Sequence, residues 1–197
     1  MVNSQPIKVG ILALQGAFDL HRQTLDVISG KSGQTISIVE VRKPQDVEGI
    51  DGIIFPGGES TVLKKLLDSS GLGLTLKELI SEGLPNFGTC AGLILQADYF
   101  NCIDCSIERN AYGTQNDSFQ TEINFNGQNV DVFFIRAPKI SKMGNGVEAV
   151  AKLDEDPVGM RQDNSIGITC HPEVANTYAI HEFFVSLINE RVKSIDN

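Results

Sequence analysis

The chain has 197 residues, 41% of them hydrophobic and 21% charged, with no tryptophan. A length of 197 residues suits one buried core, so a single domain over residues 1–197 is expected. Its 25 acidic and 16 basic residues leave a net charge of −9 without a Lys/Arg cluster, which argues against nucleic acid or an anionic membrane surface as a partner.

In chain order, IKVGILAL (7–14) reads as a buried first strand. It is too short for a membrane helix and lacks the basic lead-in and cleavage site of a signal peptide, so a cytoplasmic protein is expected. Gln15 and Gly16 follow that run. Helical DLHRQTLDVIS (19–29) comes next, then strand-like ISIVEV (36–41) and GIIFP (52–56). PGGEST (56–61) precedes two helical stretches, TVLKKLLDSS (61–70) and TLKELISEG (75–83). PNFGT (85–89) then meets a helix starting near Ala91. Strands that are apolar on both faces and alternate with helices indicate a parallel sheet covered on two sides.

From Ile103 to Thr169 the pattern changes. TEINF, VDVFFIRA, GVEAVAKL, PVGMRQ and SIGITC follow one another with turn residues between them. At the end, Ile180, Phe183, Phe184, Leu187, Ile188 and Val192 share one helical face. The expected fold class is α/β: a three-layer, open, mostly parallel sheet with helices on both faces and a mixed or antiparallel extension in the second half.

Four cysteines in a chain without a secretion signal read as thiols. Cys102 and Cys105 form one C-x-x-C, but a zinc site needs a second ligand pair. Two partly buried thiols is the better reading, and no metal is expected.

Open α/β sheets gather their sites at the carboxyl ends of strands. Cys90 lies there, within Gly88-Thr89-Cys90-Ala91-Gly92. Flanking glycines let a strand turn sharply into a helix and push the middle side chain out above the sheet. Most free cysteines are small buried hydrophobes, but a thiol at a helix N-terminus is favoured as thiolate. A nucleophile is therefore expected if a base exists. His21 and His181 fall inside helical stretches, which suggests surface or interhelix roles. His171 ends a strand and precedes proline, so an extended chain would put Glu173 on the same side as its imidazole. That pair supplies a base and its orienter. The same alternation assigns Cys170 to the core.

PGGEST lacks the lysine of a nucleotide loop. Its paired glycines instead provide a peptide N–H, at Gly58, that can face an oxyanion together with the N–H of Ala91. Arg109 in ERNAYG and Arg136 in FIRAP end strand-like runs, where a guanidinium suits a substrate carboxylate. A thiolate and an oxyanion hole suffice for acyl transfer, so no cofactor is expected.

LALQGA, PGGEST, GTCAG, ERNAYG, FIRAP and HPE occur in an order that resembles the glutaminase subunit family of pyridoxal 5′-phosphate synthase, within the class I (triad) glutamine amidotransferases. The match runs from about Val9 to the last helix. The resemblance implies Cys90 as nucleophile, His171 as base and Glu173 as orienter. It implies that L-glutamine is held by Gly58, Glu59, Ser60, Arg109, Ile135 and Arg136, with Gln15 a further site or partner contact. It also implies ammonia transfer through a tunnel to a separate barrel-shaped synthase subunit in a hetero-oligomer, and weak hydrolysis without it. Thr114 departs from the family's usual arginine, and Thr169-Cys170 replaces the usual Ser-Phe. Glutaminase subunits serving other acceptors typically read G-x-C-x-G-x-Q, whereas Ile94 occupies the last position here. A non-catalytic module of the same fold would be expected to lack Cys90, His171 or Glu173.

Overall fold

A computed structural model describes residues 5–109 and 118–195. Its first half alternates strand and helix: β1 (Ile7–Leu12), α1 (Phe18–Ser32), β2 (Ile36–Val41), β3 (Gly52–Phe55), α2 (Ser60–Ser70), α3 (Leu72–Ser81), β4 (Asn86–Thr89) and α4 (Ala91–Leu95). A π turn over Gln96–Phe100 continues α4. The second half is strand-rich: β5 (Cys105–Glu108), β6 (Phe119–Phe125), β7 (Gln128–Phe134), β8 (Lys139–Met143), β9 (Glu148–Leu153), β10 (Asp156–Gln162) and β11 (Ser165–Ile168), followed by α5 (Ala179–Ile195).

Nine strands join one sheet in the order β2-β1-β3-β4-β11-β10-β9-β6-β7. The first five run parallel, and pairing from β11 to β7 is antiparallel. The α/β class and the antiparallel extension are as the sequence indicated. The separate antiparallel ribbon of β5 and β8 was not legible in it.

Period 2 explains the layers. On β3, Ile54 faces a core with Leu25 and Ile28 of α1 and Ile180, Phe184 and Ile188 of α5. Its neighbours Ile53 and Phe55 face the opposite core, with Leu63 and Leu67 of α2 and Leu72 and Leu76 of α3. Both faces of the strand are buried, so its sequence is an unbroken apolar run. No helix among the described residues is long and apolar enough to cross a membrane.

The register that matters most for the site pairs β4 with β11. Ile168 lies opposite Thr89, so the residues following these two strands, 90 and 171, emerge side by side although they are far apart in the chain.

Candidate active site

Cys90 occupies the one-residue turn between β4 and α4, with φ 50° and ψ −103°. Such a backbone costs a non-glycine residue on the order of 1–3 kcal/mol and persists only where its surroundings enforce it. Here the Cys90 N–H donates to the Ile168 carbonyl at 2.8 Å, and its carbonyl accepts from the Ile94 N–H at 3.3 Å. A Cβ on Gly92 would overlap the Phe55 carbonyl oxygen. The glycine is thus required by close approach to β3.

His171 is buried beyond the end of β11 and bridged to β7. Its N–H donates to the Phe133 carbonyl at 2.8 Å, and the Phe133 N–H donates back at 3.4 Å. The sequence argument that an extended chain brings Glu173 alongside needs correcting. Pro172 opens a 3-10 turn over Pro172–Val174, and the turn, not strand alternation, folds the carboxylate back. Glu173 Oε1 lies 2.7 Å from His171 Nδ1, which leaves the Nε2 side of the ring free for the cavity that His171 shares with Cys90.

Electrostatics follow from this geometry. Burial alone would lower the His171 pKa, but the hydrogen bonds to Cys90 and Glu173 and their charges outweigh it and raise it to about 10. Burial would raise that of Glu173, but His21 and the His171 hydrogen bond bring it down to about 2. Both shifts favour an imidazolium held against a carboxylate. Cys102, Cys105 and Cys170 are kept protonated. Burial raises Cys102 to about 11. Cys105 rises to about 12 through burial, then the Asp98 and Asp104 charges. Cys170, wholly buried as expected, rises well above the ordinary thiol value.

Cys90 and His171 open onto a cavity of about 290 Å³. Gly58, Glu59, Ser60, Ala91, Arg109, Ile135 and Arg136 line it too. Seven positions named from the sequence, on four separate stretches of chain, therefore converge on the nucleophile and its base. Arg136 follows β7 in a left-handed conformation, φ 46°. Arg109 Nη2 is 2.9 Å from Asp98 Oδ2, a partner on the π turn that holds the guanidinium at the rim. Glu173 and Gln15 do not line the cavity. Gln15 Oε1 instead accepts from the Glu59 N–H at 2.8 Å and braces the glycine loop from behind. Thr114 and Asn110–Gly113 lie outside the described residues.

Gly57 is anchored through both of its backbone polar groups. The Gly57 N–H donates to Thr89 Oγ1 at 3.0 Å, and the Gly57 carbonyl accepts from the Ala17 N–H at 3.0 Å. Because the peptide is planar and trans, the Gly58 N–H points away from Ala17. A Cβ on Gly57 would run into the His171 ring, so no larger residue fits without displacing the imidazole.

Two contributors were missed by sequence reasoning. Thr89 sits inside the quoted GTCAG, yet nothing in that pattern signals that its hydroxyl carries Gly57. Ala17 acts through its backbone alone. Of the surface and interhelix roles expected for His21 and His181, the interhelix one holds: both are fully buried and bonded to each other between α1 and α5, Nδ1 to Nε2 at 2.8 Å.

The model of the SNO glutamine amidotransferase family matches residues 11–190. The pyridoxal 5′-phosphate synthase subunit PdxT of Corynebacterium jeikeium (strain K411) is 40% identical over 196 residues, 93% of this chain and 97% of that protein. The PdxT subunit of Halalkalibacterium halodurans is 38% identical over 194 residues, 93% of this chain and 96% of that one. A solved structure described as a glutamine amidotransferase superposes with a TM-score of 0.83 at 35% identity, covering 91% of this chain and 98% of the other. The PurLQS structure from Thermotoga maritima shares the fold at a TM-score of 0.67 and 14% identity, over 94% of this chain and 98% of that one.

Proposed function

The chain belongs to the SNO glutamine amidotransferase family, and on that premise we propose that it is the glutaminase subunit of a pyridoxal 5′-phosphate synthase. Relatives of that name at 36–40% identity support the assignment. The observation that carries the mechanism is the imidazole of His171, bound through Nδ1 to Glu173 at 2.7 Å and lining one cavity with Cys90.

The steps follow from that arrangement. His171 takes the thiol proton, and the Cys90 sulfur attacks the side-chain carbonyl carbon of L-glutamine. The oxyanion is received by the backbone N–H groups of Gly58 and Ala91, each contributing roughly 3–4 kcal/mol to transition-state stabilisation. His171 then protonates the leaving nitrogen, and ammonia departs. A water molecule, deprotonated by the same imidazole, attacks the glutamyl thioester and releases glutamate. Glu173 keeps Nδ1–H engaged so that Nε2 faces the sulfur, and stabilises the imidazolium while it exists. Arg136 and Arg109 face the cavity as cations suited to the substrate carboxylate, beside Glu59, Ser60 and the backbone of Ile135. Gln15 holds the loop that carries Gly58 and presents it to a partner.

Ammonia is consumed by a separate synthase subunit, which on this reading is a barrel-type protein joined to this chain in a hetero-oligomer. Residues 1–197 act as one amidotransferase domain, and a nucleophilic thiol suits the reducing cytoplasm. Co-purification with candidate synthase subunits, followed by an assay of glutamate from glutamine, tests the function. Glutamate release by the complex is expected. A stable complex that leaves glutamine intact would refute the assignment.

A further inference from the structure

Behind the triad, on the side away from the cavity, two histidines form a chain that the mechanism above does not use. His21 Nε2 lies 3.2 Å from Thr89 Oγ1 and 3.7 Å from Glu173 Oε1. Its Nδ1 lies 2.8 Å from His181 Nε2. Thr89 Oγ1 in turn accepts the Gly57 N–H. His21 therefore hydrogen-bonds the hydroxyl that anchors the glycine loop and lies beside the carboxylate that orients His171.

The protonation of the pair follows from its surroundings. The groups packed on His21 are Thr89 and Phe87 of β4, Glu173 and His171 of the 3-10 turn, and His181 of α5. Burial lowers the pKa of His21, against the opposing charge of Glu173. Burial, then His21, lowers that of His181 to about 3. Both rings are thus neutral near pH 7, and each carries one proton. If His21 were protonated on Nδ1, the His181 proton would sit on its own Nδ1, which has no partner among the described residues. Orphaned buried N–H groups are rarer than under-used acceptors, and a lone pair on His21 Nε2 would face a carboxylate. The opposite tautomer removes both conflicts. His181 Nε2–H donates to His21 Nδ1, and His21 Nε2–H points at Thr89 and Glu173.

Resting on the glutaminase reading, we propose that His21 is a positioning residue of the reaction: its Nε2–H holds the Thr89 hydroxyl and keeps the positive end of a dipole beside the Glu173 carboxylate, in the tautomer that His181 imposes. Glu173 Oε2 finds no partner among the described residues, and Oε1 is bonded to His171 at 2.7 Å with the His21 N–H beside it at 3.7 Å, so both N–H groups favour the ionised carboxylate. Removing one of them leaves the carboxylate freer to turn and readier to take a proton. Through Thr89 and Gly57, the same loss loosens the peptide that presents Gly58.

Two amide variants separate this role from simple filling of space, because the Gln side-chain nitrogen reaches the place of imidazole Nε2 and that of Asn only the place of Nδ1. In the complex with the synthase subunit, His21→Gln is expected to keep kcat within about threefold of wild type with an unchanged pH profile. His21→Asn is expected to lose roughly 10- to 10²-fold in kcat at nearly constant KM. Its acid limb of kcat/KM should move to higher pH as Glu173 protonates more readily. His21→Leu, which has no N–H, is the second variant should Asn fail to fold, and the same loss and shift are expected. Equal activity of the Gln variant and the Asn or Leu variant would overturn the proposal. So would a loss with the acid limb unmoved, which marks structural support only. A wild-type complex without glutamate release overturns the glutaminase reading and this inference together, whereas an active wild type with indistinguishable variants overturns this inference alone.

Discussion

In the parallel half of the sheet, β2-β1-β3-β4-β11, three strand ends deliver Gly58, Cys90 and His171 to one edge. In the antiparallel half, β10-β9-β6-β7, only the end of β7 among the described residues reaches the cavity, with Ile135 and Arg136. Parallel strands all point their carboxyl ends the same way, so every loop after a strand is available to one site. Antiparallel strands alternate, and half of their loops fall at the far edge. On the proposed mechanism the parallel half supplies the bond-making groups, while β7, with Arg109 and Pro138 from the loops around the β5/β8 ribbon, supplies recognition. The seam between the halves is β11, which sits beside β4 and sends His171 to bridge β7 at Phe133.

That division breaks or sharpens under substitution. The largest effects belong to the parallel half. Cys90→Ala and His171→Asn in the complex are expected to reduce glutamate release on the order of 10⁶-fold, to assay background, with the fold intact by circular dichroism. Glu173→Gln should cost less, about 10⁴-fold, because the carboxylate orients the base without moving the proton in its place. A Glu173→Gln loss as deep as that of His171→Asn would give the carboxylate a larger part than orientation.

Across the seam the effect changes in kind. Arg136→Ala should raise KM for glutamine roughly 10- to 100-fold with little change in kcat, the scale of one charge-assisted contact. A collapse of kcat at constant KM would erase the distinction between the halves.

The seam itself carries a pH signature in stability. The His171 pKa is raised from 6.5 to about 10, so its contribution is complete below 6.5 and fades as pH rises toward 10. That of Glu173 is lowered from 4.5 to about 2, so its contribution is complete above 4.5 and fades as pH falls toward 2. The difference in urea midpoint between wild type and Glu173→Gln is therefore expected to be widest from pH 4.5 to 6.5 and to narrow on both sides. A difference independent of pH would contradict the buried ion pair. The smallest effects are expected at Cys102→Ala and Cys105→Ala, which lie away from the cavity and should leave glutaminase rates close to wild type.

The two halves also differed in how readily the sequence could be read. Runs such as GIIFP and PNFGT are apolar on both faces because helices cover both, and their alternation with α1, α2 and α3 made the parallel sheet legible. Beyond Ile103 five of the strands, β6, β7, β9, β10 and β11, were visible as short runs, but their order was not, and β5 and β8 were not visible. Nothing local in SIGI (165–168) says that it returns to pair with β4. KISKM (139–143) and CSIE (105–108) pair only with each other, across a long stretch of chain. At the site, residues following strands were readable because strand ends are where loops gather. The histidines behind them were not. A buried His–His contact joins positions 21 and 181, and helical periodicity places both on helices without saying that those helices meet.

The central claim, that Cys90 is the nucleophile activated by His171, is tested most directly by mass spectrometry after limited reaction with an electrophilic glutamine analogue. One label per chain is expected, on Cys90, suppressed by excess glutamine and slowed in His171→Asn. The remaining thiols, raised by burial to about 11 at Cys102 and about 12 at Cys105, and well above the ordinary value at Cys170, should stay unmodified. A glutamine-protected label on any of these three, with Cys90 untouched, would contradict the account.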